Sequence, residues 1–254
     1  MPQEPRKIRL DKLLLERGLV SSRERAQALI LAGKVVVNQQ KVEKAGATVD
    51  AAANVRILGE DLKYVSRGGV KLERALAHWR VEVRGRVCMD VGTSTGGFTD
   101  CLLQHGAAHV IAIDTGYGQI AHQLRQNPRV GLLERTNARY LKPEEVSEPV
   151  DFAAVDVSFI SATLVLPAIV RAARGQEHRR LELVVLVKPQ FEAGRQAVGK
   201  GGIVRDAAAQ MEAVERVRRA VVELGASQIE SIDSPILGAE GNREFLLHAV
   251  FVDL

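Results

Sequence analysis

The 254-residue sequence predicts an α/β fold, a doubly wound and mostly parallel sheet preceded by a small α+β module at the N-terminus. Three observations carry this prediction. From residue 84 onward, short apolar strand-like runs alternate with helical periods. The first of those runs opens into a glycine-rich turn, Gly92-Thr-Ser-Thr-Gly-Gly97, followed by a helix. The excess positive charge lies wholly at the front. Residues 1–60 hold 11 Lys and Arg against 7 Asp and Glu, whereas the remainder holds 24 against 24.

Composition narrows the classes. A hydrophobic content of 46% suffices for a packed core. Two cysteines, Cys88 and Cys101, exclude a disulfide scaffold and a multi-cysteine zinc cluster, and both fall in predicted core elements as buried thiols. The opening MPQEPRKIRLDKLL lacks a continuous apolar stretch. The longest apolar run, around Leu183–Val187, is far short of the ~20 residues a membrane helix needs. The expectation is a soluble, cytoplasmic protein that uses no membrane and no metal.

Residues 8–31 read as two helices. Leu10, Leu13 and Leu14 make one apolar stripe, and Gly18 stops the helix. Ser21 with Glu24 is expected to form a capping box for the next helix, which runs through Ala26, Leu29 and Ile30 to a cap at Gly33. A β-branched strand, Lys34–Asn38, follows. Asn38-Gln39 reads as a tight turn, Lys41–Glu43 as the return strand, and Val55–Leu58 as a further strand. Arg23, Arg25 and Lys34 cluster around the second helix and its end, so a basic small module beside a neutral larger one points to a bound polyanion. The stretch from Arg9-Leu-Asp to Gly33-Lys-Val-Val-Val-Asn38 resembles the RNA-binding module named after ribosomal small-subunit protein four, over about residues 7–60. That resemblance implies RNA contacts from Arg9, Arg23, Arg25 and Lys34, with Arg67 added from the segment just beyond.

In the larger part, Arg86–Asp90 and Val110–Asp114 read as the first two strands. Others follow near Val130–Leu133, Phe152–Val155, Leu181–Val187 and Glu244–Val252, with helices between them such as Ala207–Leu224. Ligands in such Rossmann-like sheets sit beyond the C-terminal ends of the strands. A dinucleotide fingerprint would need glycine where Ser94 stands, so a ligand without phosphates fits better, and S-adenosylmethionine is such a ligand. Gly92, Gly96 and Gly97 let backbone approach its amino-acid end, together with Ser94 and Phe98, and the helix N-terminus favours its carboxylate. Asp90 is placed to take the ammonium or a water. Asp114, ending the second strand, is placed to grip the ribose hydroxyls. Asn137 is either an adenine partner or an ordinary polar loop residue.

The acceptor chemistry is read from Lys71, Asp156, Lys188 and Glu244. Asp156 ends the fourth strand and Lys188 the fifth, where Pro189 stops it. A lysine at that position, with a second cation nearby, suits a neutral amine that accepts a proton from an alcohol, and the two carboxylates would orient the ammonium forms. Asp156-Val-Ser-Phe159 disfavours amino-group methylation of a base, and neither cysteine is placed to attack a base carbon. Residues 64–254 resemble ribose 2′-O-methyltransferases of the FtsJ type with their Lys-Asp-Lys-Glu tetrad. Nearly the whole chain is similar to the TlyA / haemolysin-A family, on Tyr64–Leu72, Asp90–Asp100, Asp156–Ser161, Val187–Glu192 and Gly241–Phe245. Thr93 departs from the alanine of the family pattern. The resemblance implies cytidine 2′-O-methylation of ribosomal RNA within ribosomal subunits, with Lys188 as proton acceptor. The expected domains are 1–60, a linker over 61–70 bending at Gly68-Gly69, and 71–254. Phe191-Glu192 and Gly199–Gly202 are expected to form a mobile loop over the acceptor. The rival readings are a membrane-active haemolysin and an RNA-binding protein with an inactive enzyme domain.

Overall fold

The computed structural model describes residues 6–20, 22–58, 63–175, 180–238 and 240–252. The chain divides into two compact units, Met1–Leu62 and Lys63–Leu254. Residues 63–70 therefore belong to the larger unit instead of a linker, and residues 59–62 lie outside the described residues.

The smaller unit runs β1 (Lys7–Arg9), α1 (Leu10–Glu16), α2 (Arg23–Leu31), β2 (Val35–Val37), β3 (Gln40–Val42), β4 (Thr48–Asp50) and β5 (Val55–Ile57). Leu10, Leu14, Leu29, Ile30 and Val35 are buried in one core, which fixes both helices against the sheet β3-β2-β5. The helix cap differs from expectation. Ser22 Oγ accepts the Arg25 amide at 3.2 Å, while the expected cap residue Ser21 lies outside the described residues. Asn38 and Gln39 both have positive φ, 46° and 69°, the mirror-image turn whose twist matches a two-strand hairpin. β1 and β4 pair antiparallel as a separate ribbon that the sequence did not disclose, because three residues are too few to display a period.

The larger unit runs α3 (Gly68–Trp79), β6 (Val87–Val91), α4 (Gly97–Gln104), β7 (His109–Ile113), α5 (His122–Arg125), β8 (Val130–Leu133), β9 (Phe152–Val155), α6 (Leu166–Arg174), β10 (Leu181–Val187), α7 (Pro189–Glu192), α8 (Ala207–Glu223), β11 (Ser227–Asp233) and β12 (Phe245–Phe251). The seven strands lie in the order β11-β12-β10-β9-β6-β7-β8. β10, β9, β6, β7 and β8 are parallel, while β12 runs antiparallel to both β10 and β11. Strand alternation sends Met89, Val185 and Leu247 into one core and Cys88, Val184 and Leu246 into another, so the sheet is covered on both faces.

Gly68 and Gly69 do not form a bend. Both lie in the first turn of α3, and a Cβ on Gly69 would sit 2.3 Å from the Tyr64 ring. Close packing, and not backbone freedom, explains that glycine. The chain order reverses between β6 and β9, the place where open α/β sheets leave a crevice. There a Cβ on Gly92, whose φ is +86°, would come 2.3 Å from the Asp156 carbonyl oxygen. Only glycine lets the two strand ends meet this closely.

Candidate active site

The loop after β6 and the carboxylate after β7 are built as one piece. Ser94, in a left-handed conformation at φ 50°, donates its amide to Asp114 Oδ2 at 2.7 Å. The Gly116 amide donates to Asp114 Oδ1 at 2.6 Å. Two backbone donors thus fix the carboxylate on the wall of a hollow of about 290 Å³, which Asn137 also lines. Asn137 Oδ1 accepts the Arg139 amide at 3.0 Å and so caps the short turn Ala138–Tyr140, a structural duty beside any role toward a ligand.

Asp90 departs from its expected position. It is wholly buried and lines neither hollow. Its Oδ2 accepts the Thr99 amide at 2.9 Å and the Thr99 hydroxyl at 2.6 Å, which ties β6 to α4 beneath the loop. Its Oδ1 is buried with no partner among the described residues. Burial pushes its pKa up to about 7, with Asp156 and Asp114 adding to the rise and Thr99 opposing it. Thr93 donates its hydroxyl to the Asp90 carbonyl at 3.1 Å, a strut that alanine could not supply. Gly96 also serves packing. Its φ is +96°, and a Cβ there would meet Leu124 at 2.4 Å. Gly97 has no room for a Cβ, which would meet Ser66 Oγ at 2.2 Å.

A second hollow, of about 540 Å³, collects the four residues the sequence left far apart. Lys71, Asp156, Lys188 and Glu244 all line it, with Gly97, Phe98 and Arg67. Lys71, on α3, and Glu244, just before β12, are both buried and pair at 2.5 Å. Lys188, the residue after β10, pairs with Asp156 Oδ1 at 2.6 Å and donates to Ser158 Oγ at 2.7 Å. The charges therefore close one to one, each lysine on its own carboxylate. Gly92, Ser94, Asp156, Ser158 and Phe159 line both hollows, so the two spaces adjoin across the strand ends.

Sequence reasoning missed several members of this wall. Phe159 is 93% exposed and has φ 64°, a conformation costly for an aromatic residue. Its ring lies 5.4 Å from that of Phe191. The chain holds only 6 phenylalanines, so a solvent-facing Phe after a strand-end Asp-Val-Ser was the available signal. Phe191 and Glu192 form the end of α7, and Glu192 is buried, which overturns their expected place in a mobile loop. Cys88 and Cys101 are buried, and burial pushes both thiols up to about 12. Among the described residues, no group of three or more His, Cys, Asp or Glu could hold a metal, and no helix is long and apolar enough to cross a membrane.

The basic candidates of the small unit are partly engaged within it. Asp11, wholly buried, accepts Arg9 Nε at 3.0 Å, Arg23 Nε at 2.9 Å and Gln27 Nε2 at 2.9 Å. Arg9 and Arg23 remain about two-fifths exposed beyond those contacts. Lys34 is exposed just before β2, and Arg25 is half-buried.

A seven-stranded sheet in this order, with a glycine loop at its switch point and an aspartate beyond the neighbouring strand, is the architecture of S-adenosylmethionine-dependent methyltransferases, and the family match carries the class. Residues 64–251 match the model of FtsJ-like methyltransferases and residues 8–55 that of the S4 domain, and the chain belongs to the FtsJ-like methyltransferase family. It is 46% identical to the "16S/23S rRNA (cytidine-2'-O)-methyltransferase TlyA" of Mycobacterium tuberculosis (strain ATCC 25618 / H37Rv), over 95% of this chain and 89% of that protein. It is 40% identical to "Hemolysin A" of Brachyspira hyodysenteriae, over 96% of this chain and all of that one. A solved structure of a candidate hemolysin from Streptococcus thermophilus is 42% identical, with a TM-score of 0.74 over 98% of this chain and 90% of that one. The fibrillarin/Nop5p complex, 16% identical with a TM-score of 0.51 over 72% of this chain and 80% of that one, shares the fold.

S-adenosylmethionine is the cofactor, and the residues present fit it. The loop at Gly92 leaves no room for a side chain, Asp114 is oriented by two amides on the wall of one hollow, and that hollow opens beside the lysine–carboxylate pairs.

Proposed function

We propose that this protein methylates the 2′-hydroxyl of a cytidine ribose in ribosomal RNA, with Lys188 accepting the hydroxyl proton in a Lys71-Asp156-Lys188-Glu244 tetrad. One observation carries the reading. Two lysine–carboxylate pairs, Lys188–Asp156 and Lys71–Glu244, line a single hollow that adjoins the Gly92 loop. When bound, the cofactor supplies a methyl group already activated on a sulfonium, so the protein's task is to position and deprotonate the alcohol.

Ser158 accepts a hydrogen bond from Lys188 and Asp156 stands beside it as its ion-pair partner, so the amine is held on the wall of the hollow. Lys71, closed on Glu244, places a second lysine–carboxylate pair on the same wall. Phe159 and Phe191 offer a stacking surface for the base of the target nucleotide once it is drawn from its helix. Arg67 on the rim, with Arg9, Arg23, Arg25 and Lys34 of the S4 domain, would meet RNA phosphates. Asp114 would grip the cofactor ribose in the smaller hollow, with Gly92 and Ser94 beside it and Asn137 toward the adenine, while Gly97 and Phe98, which line the larger hollow alone, would close the bed from the acceptor side. Asp90 and Gly96 act beneath, by bracing the loop. A cytoplasmic location follows from such a substrate.

Transfer of labelled methyl from S-adenosylmethionine to isolated small subunits, large subunits and whole ribosomes, with mapping of the modified nucleotide, tests the reading. Label on a base, or on no ribosomal RNA, would overturn it. The name of the Brachyspira relative favours red-cell lysis as a second reading. Haemoglobin release by purified protein carrying Lys188→Ala would establish that activity as separate from methyl transfer.

A further inference from the structure

The two loops that carry the acceptor chemistry are joined twice, and only the first joint belongs to the tetrad. One leaves β9 and bears Asp156, Ser158 and Phe159. The other leaves β10 at Lys188 and runs straight into the short helix α7, which bears Gln190 and Phe191. Near the sheet they meet at the Lys188–Asp156 pair and the Lys188–Ser158 hydrogen bond. At their far ends they meet at Glu192, a carboxylate 2% exposed. Glu192 Oε1 accepts the Ala162 amide at 2.6 Å and Oε2 accepts the Ser161 hydroxyl at 2.5 Å. Ser161 in turn caps the turn Ala162–Leu164 that leads into α6. A third element holds the joint from behind, because Arg216 of α8 donates to the Glu192 carbonyl at 2.7 Å.

A buried carboxylate is costly, so an apolar residue would be the simpler filler at a site with a purely packing role. Here burial does raise the Glu192 pKa, against the two hydrogen bonds and Arg216. What the carboxylate supplies instead is direction. Two acceptor atoms in one plane fix two successive donors, Ser161 and Ala162, and so fix the loop that begins at Asp156. Phe159 lies between the two joints on one loop, and Phe191 lies between them on the other.

We propose that Glu192 is a positioning residue for the acceptor nucleotide. It latches the loop after β9 to α7, so that the lysine–aspartate pair and the two phenylalanines keep one fixed relation to each other. The inference rests on the reading of this hollow as the acceptor site. Glu192 and Ser161 line neither hollow, but the latched loop borders both through Asp156, Ser158 and Phe159, so the mark of positioning is a turnover that falls much further than cofactor affinity. Misplacing reacting groups by about an ångström costs on the order of 10²-fold in rate.

The test uses the full chain with Glu192→Ala, Glu192→Gln and Ser161→Ala. Cofactor affinity is measured by calorimetry, melting temperature by scanning calorimetry, and turnover on ribosomal RNA across pH. Glu192→Ala is expected to lower kcat about 10- to 100-fold and to displace the rising limb of the pH–rate profile, with cofactor Kd within about 2-fold. Glu192→Gln keeps a planar group that accepts from the Ala162 amide and donates to the Ser161 oxygen, and should restore most of the turnover. Ser161→Ala removes one of the two contacts and should lose about 3- to 10-fold, which decides the matter should Glu192→Ala not fold. Turnover within 2-fold of wild type in Ser161→Ala and in whichever Glu192 variant folds overturns the latch. So does a parallel loss of cofactor affinity and turnover, the mark of a general structural role. Wild-type protein that methylates no ribose would instead sink the functional reading and is scored separately.

Discussion

Asp11 in the small unit and Asp90 in the large one are both wholly buried, and their surroundings are opposite. Asp11 accepts the Lys12 amide and is closed by Arg9, Gln27 and Arg23, whose contacts hold its carboxyl well below the usual carboxylate range, the Arg9 hydrogen bond foremost. Among the described residues Asp90 has only Thr99 on one oxygen and no partner on the other, and burial raises it to about 7. The first is a finished structural joint. The second stands under-satisfied beneath a ligand loop. The same contrast runs through the two units. The small one neutralises Asp11 within itself, while the large one turns four charges toward a hollow.

Removing a charge from the hollow is the hardest test of that contrast. Lys188→Ala should lower methyl transfer by about 10²–10⁴-fold, the range of a lost general base. Cofactor affinity should stay within about 3-fold and the melting temperature should hardly change. A stability loss without a rate loss would mean that Lys188 is as structural as Arg23.

Next in size is Asp114→Ala. It removes a carboxylate that two backbone amides orient toward the smaller hollow. Losing a hydrogen bond to a charged group costs about 1.5–3 kcal/mol, so cofactor Kd should rise about 10- to 100-fold by calorimetry. Saturating cofactor should then recover most of the turnover. If it does not, Asp114 shapes the acceptor side as well.

Asp11→Ala should act in the opposite sense. Arg9, Arg23 and Gln27 would lose their common acceptor, at about 1–3 kcal/mol of stability in the small unit. Hydrogen exchange should show the loss in α1 and α2, while cofactor affinity stays unchanged. Exchange that is unaltered there would mean that the three donors find water equally good partners.

Much of this was legible in the sequence, for identifiable reasons. The parallel strands are continuous apolar runs because both of their faces are buried, and Phe152–Val155 and Leu181–Val187 were readable to the residue. β11 was not, since Ser227–Asp233 is an edge strand whose mostly exposed polar residues conceal its period. Asp156 and Lys188 were legible as strand-end positions, whereas Lys71 lies on α3 and Glu244 just before β12, and the one-to-one pairing depends on three-dimensional register. Asp90 was misplaced because a strand-end aspartate can turn outward to ligand or inward to the next helix, and Thr99, nine residues on, decides which. Gly69 and Gly96 look alike as letters, but one is demanded by the Tyr64 ring and the other by a positive φ and Leu124.

The smallest expected effect separates the two aspartates by pH. Asp90 is raised from an ordinary 3.8 to about 7, so between those values the native state holds a proton that the unfolded chain has released. Its contribution therefore favours the fold at the acid end of that window and declines as pH rises toward 7. Asp11 is lowered, so its contribution is fully present above the unfolded value near 4 and is lost as pH falls through its depressed native value. Asp90→Asn should flatten the change in melting temperature between pH 4 and 7, by a few degrees at about 2–4 °C per kcal/mol. Asp11→Asn should leave that window alone and reduce the acid loss below pH 4. If the two substitutions altered the same window, the contrast between a satisfied and an under-satisfied buried carboxylate would not describe this protein.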